Sequence, residues 1–281
     1  MTTTIEASPR PTETITTHPQ TLGRAIRSEW IKIRSLRSTW VFLAAVIVIT
    51  IGFGAIAAAV STGTITAPPN GGPPNGFGGG PLSTVLTGST FAVLLIGVLG
   101  SLAGAREYGS RMITATVAAV PRRWQVVVAK TAALAYIVVP GALIGVFGAY
   151  SVGMNILSSN DATTVSLTDN GVLRSILGMA GYITAIALLG LGLGILLRSV
   201  AGSIGAVIGG ILILPSIAGA LLPDSWDTIL RFLPSSAAAS FTTVTAAGKS
   251  TLDAGAGAAV LAAWVVVVLG AAILMINRRD A

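Results

Sequence analysis

Six stretches of this chain, 40–60, 83–105, 126–150, 173–197, 201–222 and 255–276, carry no Asp, Glu, Lys or Arg in their middles. At 1.5 Å per helical residue, each is long enough to cross the roughly 30 Å hydrocarbon core of a bilayer. Composition agrees: 53% of the 281 residues are hydrophobic and only 10% are charged. A water-facing domain carries about 25% charged residues, so the surplus apolar side chains must face lipid. Only Arg198-Ser199-Val200 separates the fourth and fifth stretches, which predicts a tight helical hairpin. One merged helix of about 50 residues would be far longer than a bilayer requires. The expected fold is an all-α membrane protein with six transmembrane helices.

Charge placement orients these spans. Fourteen of the seventeen Lys and Arg fall in the N-terminal segment, the second-to-third connection, the fourth-to-fifth turn and the C-terminus. Arg174, Arg231 and Lys249 are left for the other side, while the ten acids divide evenly. Positive residues stay inside, so the basic side and both termini are expected to be cytoplasmic. The net charge of +7 is then a topogenic signal that also suits anionic lipid headgroups, and it calls for no nucleic-acid partner. Lys130 and Arg174 sit near span ends, where a long side chain can reach the interface. Residues 1–20 are polar and have no apolar core, so they read as a disordered cytoplasmic tail and not as a signal peptide. Residues 21–281 form one transmembrane domain.

Little of the usual chemistry remains. Cysteine is absent and the one histidine, His18, lies in the tail. Thiolate metal sites, Cys nucleophiles and Ser-His triads are therefore excluded, and no cofactor or metal is expected on this chain. Gly248-Lys249-Ser250-Thr251 looks like the end of a phosphate-binding loop. The first glycine of that pattern would stand at 243, which is threonine, and the segment falls on the outer side. This chain is not expected to hydrolyse ATP.

Between the spans, residues 20–38 read as an amphipathic surface helix. Leu22, Ile26, Trp30, Ile33 and Leu36 form one stripe, with Arg24, Arg27 and Arg34 opposite and Lys32 and Arg37 on its flanks. Such a helix serves as a topology anchor. Glu29, its single acid, sits beside the stripe and points to a protein partner rather than bare lipid. In the connection over 105–130, Arg106 and Glu107 end the second span, Gly109 interrupts it, and Ser110 can cap a short helix. Met112, Thr116 and Val120 share one face of that helix until Pro121 stops it, and Arg122 and Arg123 hold the next span at the interface. An apolar face outside the membrane wants a groove. The alternative is an ordinary interfacial turn.

On the outer side, 61–82 is a Pro/Gly-rich connector. In 223–254, Asp224 is a candidate N-cap for a short helix bearing Trp226, Ile229, Leu230 and Leu233, which Pro234 ends. That excursion is either a gate or a structural cover. The pairs Gly100/Gly104, Gly141/Gly145, Gly190/Gly194 and Gly205/Gly209 mark either helix contacts or a dimer seam. Pro140 and Pro215 are candidate helix breaks. Thr50, Phe53, Thr90 and Phe91 either line an upper pathway between the first two spans or face lipid.

Three functional classes follow. A secondary transporter normally keeps ionisable groups within the bilayer, and an anchoring or regulatory scaffold needs no pathway. A transport subunit driven from outside its own sequence needs a lipid-compatible path and a cytoplasmic handle, and this chain has features of both. Because no charge falls mid-span, its substrate should be amphipathic or lipid-like.

The run Ser28-Glu29-Trp30-Ile31-Lys32-Ile33-Arg34-Ser35-Leu36-Arg37-Ser38-Thr39 precedes the first span. Arg106-Glu107-Tyr108-Gly109-Ser110-Arg111, Pro121-Arg122-Arg123 and Lys130 follow the second; Leu197-Arg198-Ser199 and Arg278-Arg279-Asp280 come later. In this order on six spans, the chain resembles the membrane-spanning permease subunit of type-2 ATP-binding-cassette (ABC) transporters. The resemblance covers most of 22–281 and is strongest to the separate-subunit exporters of actinobacteria. It implies a bacterial plasma-membrane protein in which the amphipathic helix is a connecting helix and 109–121 a coupling helix. That helix would dock on a separately encoded cytoplasmic ATPase carrying ATP and magnesium. Two ATPases and a second, expectedly identical, permease copy would complete the unit. Glu29, Glu107, Tyr108, Gly109 and Arg111 would then take part in docking and coupling, together with Met112, Thr116, Pro121, Arg122 and Arg123. Glu107 and the arginines 111, 122 and 123 are expected to transmit the motion.

Overall fold

The computed structural model describes residues 21–66, 80–109, 123–244 and 252–278, with the side chains of Leu212, Ser216 and Asp224 left aside. Outside the described residues lie the 1–20 tail, most of the 61–82 connector, Gly248-Lys249-Ser250-Thr251 and Arg279-Asp280. The expected coupling helix, with Arg111, Met112, Thr116, Pro121 and Arg122, lies outside them too.

The amphipathic segment folds as α1 (Leu22–Ser35) and the first span as α2 (Arg37–Ser61). The single extended residue Leu36 bends one into the other, and the Trp40 indole donates to the Arg34 carbonyl across the bend at 3.1 Å. A short α3 (Pro81–Val85), with Pro81 in its first turn, precedes α4 (Ser89–Gly109). The second span thus starts later than its hydropathy predicts. Next come α5 (Trp124–Ser159), α6 (Val172–Leu197) and, after intervening shorter helices, α11 (Ala254–Arg278). Helices α2, α4, α5, α6 and α11 are long and apolar enough to cross a membrane. The protein is all-helical among its described residues and has the helices of a multi-pass membrane protein.

Three expectations are corrected. Pro140 does not break α5, which runs unbroken through it for 36 residues, about 54 Å. The 201–222 stretch is not one regular helix: α7 (Val200–Gly205) widens into π turns over Ala206–Ile213 before α8 (Leu214–Leu221). Pro215 has no N–H to return to the Ile211 carbonyl, and the register slips just ahead of it. Finally, Pro234 does more than end a helix. A 3-10 turn (Asp224–Trp226) and α9 (Asp227–Leu230) precede it, and Pro234 opens α10 (Pro234–Thr242) from the first turn, where proline's fixed φ fits.

The centre of the bundle is α6 packed on α4. Ile176, Ile183, Ile186, Leu189 and Leu191 of α6 and Ile96 and Val93 of α4 are almost wholly buried. The two glycine pairs of these helices face each other. A Cβ on Gly100 would collide with the Ala187 carbonyl, and one on Gly104 with that of Leu191. From the other side, Cβ atoms on Gly190 and Gly194 would lie 2.6 Å from the Gly97 oxygen and 2.8 Å from the Ala105 nitrogen. Gly141 abuts Leu43, and Gly145 lies beside Thr50, where α5 meets α2. Three of the four pairs therefore mark contacts inside one chain; Gly205 and Gly209 face open space.

Contacts fix which helix ends gather together. Glu107 at the end of α4 meets Lys130 near the start of α5, Tyr108 meets Arg198 after α6, and Arg123 meets Ile276 near the end of α11. At the opposite end Arg174 reaches Thr243, and a Cβ on Gly257 would meet Ser240. The run from Val200 to Leu221 starts at the Arg198 end, and its π turns touch α10. Gly100→Val should destabilise the fold by about 1–3 kcal/mol, because backbone must move to admit the side chain. Gly181→Ala, with nothing within 4 Å, should stay within about 0.5 kcal/mol of wild type. Unfolding in detergent by thermal or denaturant titration measures both.

Candidate functional site

Only two acids stand among the cations that crowd one end of the bundle in residues 21–278, and the fold brings them to the same place. Glu29 lies on the inner face of α1, and Glu107 two residues before the end of α4. Lys130, seven positions into α5, has its ammonium between them. Lys130 Nζ donates to Glu29 Oε2 at 2.9 Å and to Glu107 Oε1 at 2.6 Å. Lys32, one turn along α1 from Glu29, donates to Glu29 Oε1 at 2.7 Å and Glu107 Oε1 at 3.2 Å. Each carboxylate thus meets both ammoniums, and the four charges alternate around a closed ring. Side-chain exposures are 5% for Glu29, 7% for Lys130, 14% for Glu107 and 35% for Lys32, so the ring is open to solvent mainly on the Lys32 side.

This arrangement corrects two expectations. Lys130 does not reach out to the interface; its stem and ammonium are buried against its own chain. The protein partner that Glu29 seemed to require is supplied by α5. Helix α1 is also held by Trp30, whose ring meets that of Tyr136 edge-on at 4.9 Å. The lysine signal was present in the sequence: a span-embedded cation needs a counter-charge, and Glu29 and Glu107 are the only acids on its side within 21–278.

Burial works against the Lys32 ammonium, but hydrogen bonding and charge from Glu29, reinforced by Glu107, outweigh it and raise its pKa above the usual 10.5. A raised pKa in the folded state contributes stability in full below the unfolded value and loses it as pH rises through the folded one. The Lys32 contribution is therefore constant at neutral pH and fades only above pH 10.5.

Other residues expected to dock or couple are used within the chain. The Tyr108 ring lies 5.1 Å below the Arg198 guanidinium. Arg198 stands in the left-handed region, φ 52, where α6 stops and the chain reverses. Its N–H bonds the Gly194 carbonyl at 3.0 Å, and the Ser199 hydroxyl then accepts from Gly202 N at 3.2 Å to start α7. A tight turn thus stands where the sequence predicts one, with a short helix and π turns following it in place of a regular second arm. Gly109 is the exposed last residue of α4. Arg123 donates to the Ile276 carbonyl at 3.3 Å, satisfying the C-terminal end of α11. Of the upper group, Phe53 and Phe91 stack at 4.4 Å and are exposed with Thr90 on the α2–α4 surface. Thr50 is apart from them: fully buried, with its hydroxyl donating to Val46 at 2.6 Å.

Beside the ring lies a cavity of about 450 Å³, bounded by the α1–α2 bend, the end of α4 and the start of α5. Phe42, Leu99, Leu102 and Leu134 form its apolar wall, while Lys32, Arg106, Glu107 and Lys130 give it a charged floor. No family model and no curated protein sequence matches the chain.

Lys130→Met should cost about 3–5 kcal/mol, because it leaves two buried carboxylates with the part-exposed Lys32 as their one remaining ring cation. The double variant Lys130→Met with Glu29→Leu should recover part of that loss. Detergent-solubilised melting curves of the three proteins, run side by side, check both statements.

Proposed function

We propose that the chain is the membrane-spanning permease subunit of a type-2 ABC exporter. In this reading the Val200–Leu221 run is a sixth crossing, α1 is the connecting helix, and both termini and the ion-pair ring face the cytoplasm. A separate ATPase binds ATP and magnesium and docks on residues 110–122. A second copy of the permease completes the pathway for an amphipathic or lipid-like substrate.

The observation that carries the proposal is the position of the ring. Glu107 and Lys130 stand on either side of the 110–122 segment, and each is tied to Glu29 or Lys32 of α1. A push delivered to that segment is felt by α1, α4 and α5 together. Through the Tyr108–Arg198 contact it also reaches the turn between α6 and α7. A subunit that does no chemistry of its own needs such a handle. Closure of the ATPase pair would then shift the populations of inward- and outward-open permease through differential contact with this end, which is what alternating access requires.

Affinity purification of the tagged full-length protein from its native membrane, with mass spectrometry of co-purifying chains, tests the proposal. A cytoplasmic ATPase should accompany the wild type and be lost from Met112→Asp and Thr116→Asp. Glu107→Ala should insert normally yet abolish ATP-dependent transport. A stable stand-alone oligomer with no ATPase under gentle extraction would replace this reading with that of a scaffold.

A further inference from the structure

Helix α1 spends its apolar stripe on its own chain. Trp30 packs on Tyr136 of α5, Ile33 and Leu36 line the cavity beside the ring, and Ala25 and Glu29 are buried. The opposite face is turned outward. There Arg27, Ile31 and Arg34 stand at i, i+4 and i+7, neighbours along one side of the helix. Both arginines are exposed, and Ile31 between them is 57% exposed. Arg37, also exposed, follows at the α1–α2 bend. The acids Glu29 and Glu107 are engaged by the lysines of the ring, and among the described residues no acceptor meets the guanidinium of Arg27, Arg34 or Arg37. The bend joins this face to a span. The Trp40 indole, whose N–H is donated to the Arg34 carbonyl at 3.1 Å, is 47% exposed, and Val41 after it is 66% exposed. Arg37 stands only about 6 Å of helix before Val41. Cations, then a half-exposed indole, then outward apolar residues is the order of groups met on passing from headgroups into hydrocarbon.

We infer that the outward face of α1 and the α1–α2 bend gather anionic phospholipid headgroups from the leaflet on the Lys/Arg-rich side. Arg27, Arg34 and Arg37 meet the phosphates, Ile31 is covered between them, and Trp40 lies at the boundary with the acyl chains. An acidic protein surface would also satisfy the arginines. It would leave Trp40 and Val41 uncovered, because these stand at the start of a membrane-spanning helix and open onto lipid. Zwitterionic lipid would cover the apolar groups but leave the surplus positive charge unanswered. The attachment holds α1 from outside while the ring holds it from within, so the bend is fixed on both sides. This role goes beyond the exporter reading and does not depend on it, since it needs only a chain that spans a membrane and this exposed face.

The chain has no cysteine, so a single one placed on it carries a label without background. Val41→Cys and, as a reference in the middle of α11, Val266→Cys are each labelled with bimane; both positions are exposed. The full-length protein is set in nanodiscs of phosphatidylglycerol and phosphatidylcholine with matched chains, one lipid or the other brominated, and quenching reads which lipid lies beside each label. Phosphatidylglycerol should be enriched at Val41 over Val266 by about fivefold, the worth of one cation near an anionic surface, or by more if the three act together. Replacing Arg27, Arg34 and Arg37 together by Gln should bring the two labels level. Replacing all three by Lys should keep the enrichment, because charge is retained. Raising salt from about 0.1 M to about 1 M should shrink it, as the screening length falls from roughly 10 Å to 3 Å. Equal lipid composition beside the two labels, or enrichment that the Gln variant keeps, would overturn the inference. So would an acidic chain that co-purifies with the wild type and is lost from the Gln variant while the lipid ratio stays unchanged, since the face would then serve a protein.

Discussion

Four charged side chains withdrawn from water at the edge of an apolar bundle hold one another in place. A lone buried carboxylate or ammonium costs several kcal/mol, and its attraction to a single partner repays that only with good geometry and further hydrogen bonds. Here each carboxylate accepts from two ammoniums and each ammonium donates to two carboxylates, at 2.6–3.2 Å. Removing any member leaves the others short. The geometry is therefore met only when α1, α4 and α5 are all present in their observed register, and that demand is specific in a way that apolar packing is not. Leu against Leu tolerates a slide of a turn, whereas Lys130 between Glu29 and Glu107 does not.

The ring fixes one end, and close backbone approach fixes the middle. In lipid there is no hydrophobic force between helices, so α4 and α6 need dispersion over a wide area. They obtain it through Gly97, Gly100 and Gly104 against Ala187, Gly190, Leu191 and Gly194, where backbone meets backbone. The large side chains Ile96, Ile183 and Ile186 then close around the seam and are fully buried. By contrast α11 keeps most of its surface outward, including Val266, Val267 and Leu274, and is attached through Gly192 against Val268 and through α10.

Much of this was legible in the sequence, and what was not has definite physical causes. Five of the spans follow from hydropathy, because a run of about 20 apolar residues has few other solutions. The hairpin at Arg198 follows from spacing alone. Glycine pairs at i and i+4 announce close contact, yet the partner surface depends on tertiary geometry, and only the fold shows Gly100 against Ala187 of the same chain. For Lys130, proximity to a span end says how far the side chain can reach, not that Glu29 and Glu107 stand nearer than the interface. Glu29 beside an apolar stripe signals a counter-charge, but local pattern does not show that this charge is in the same chain, 101 residues on. The π turns before Pro215 were hidden for a related reason: hydropathy counts residues and is blind to which carbonyl each N–H meets.

These observations place stiffness and looseness in different parts of the molecule. The ring and the α4–α6 seam are over-determined, with charges and backbone atoms in mutual contact. The Val200–Leu221 run is the reverse, with wide turns in its middle and Gly205, Gly209, Gly210 and Gly219 touching nothing on their open sides. Local stability follows buried contact, so the outward half of this run should rearrange at lower cost than the α4–α6 seam. Its first half is joined to the rigid part both at the Arg198 turn held under Tyr108 and by Val207, which is fully buried against Gly97 of α4. A displacement of α4 at that end would pass through the Tyr108–Arg198 contact and the Gly97–Val207 packing into the Val200–Leu221 run, while the seam carries α4 and α6 along as one body. The device needs no titrating group mid-span and no ligand within the bundle. It needs a stiff lever, a joint and a yielding helix: the α4–α6 seam, the Tyr108–Arg198 contact with the packing beside it, and the π turns before Pro215.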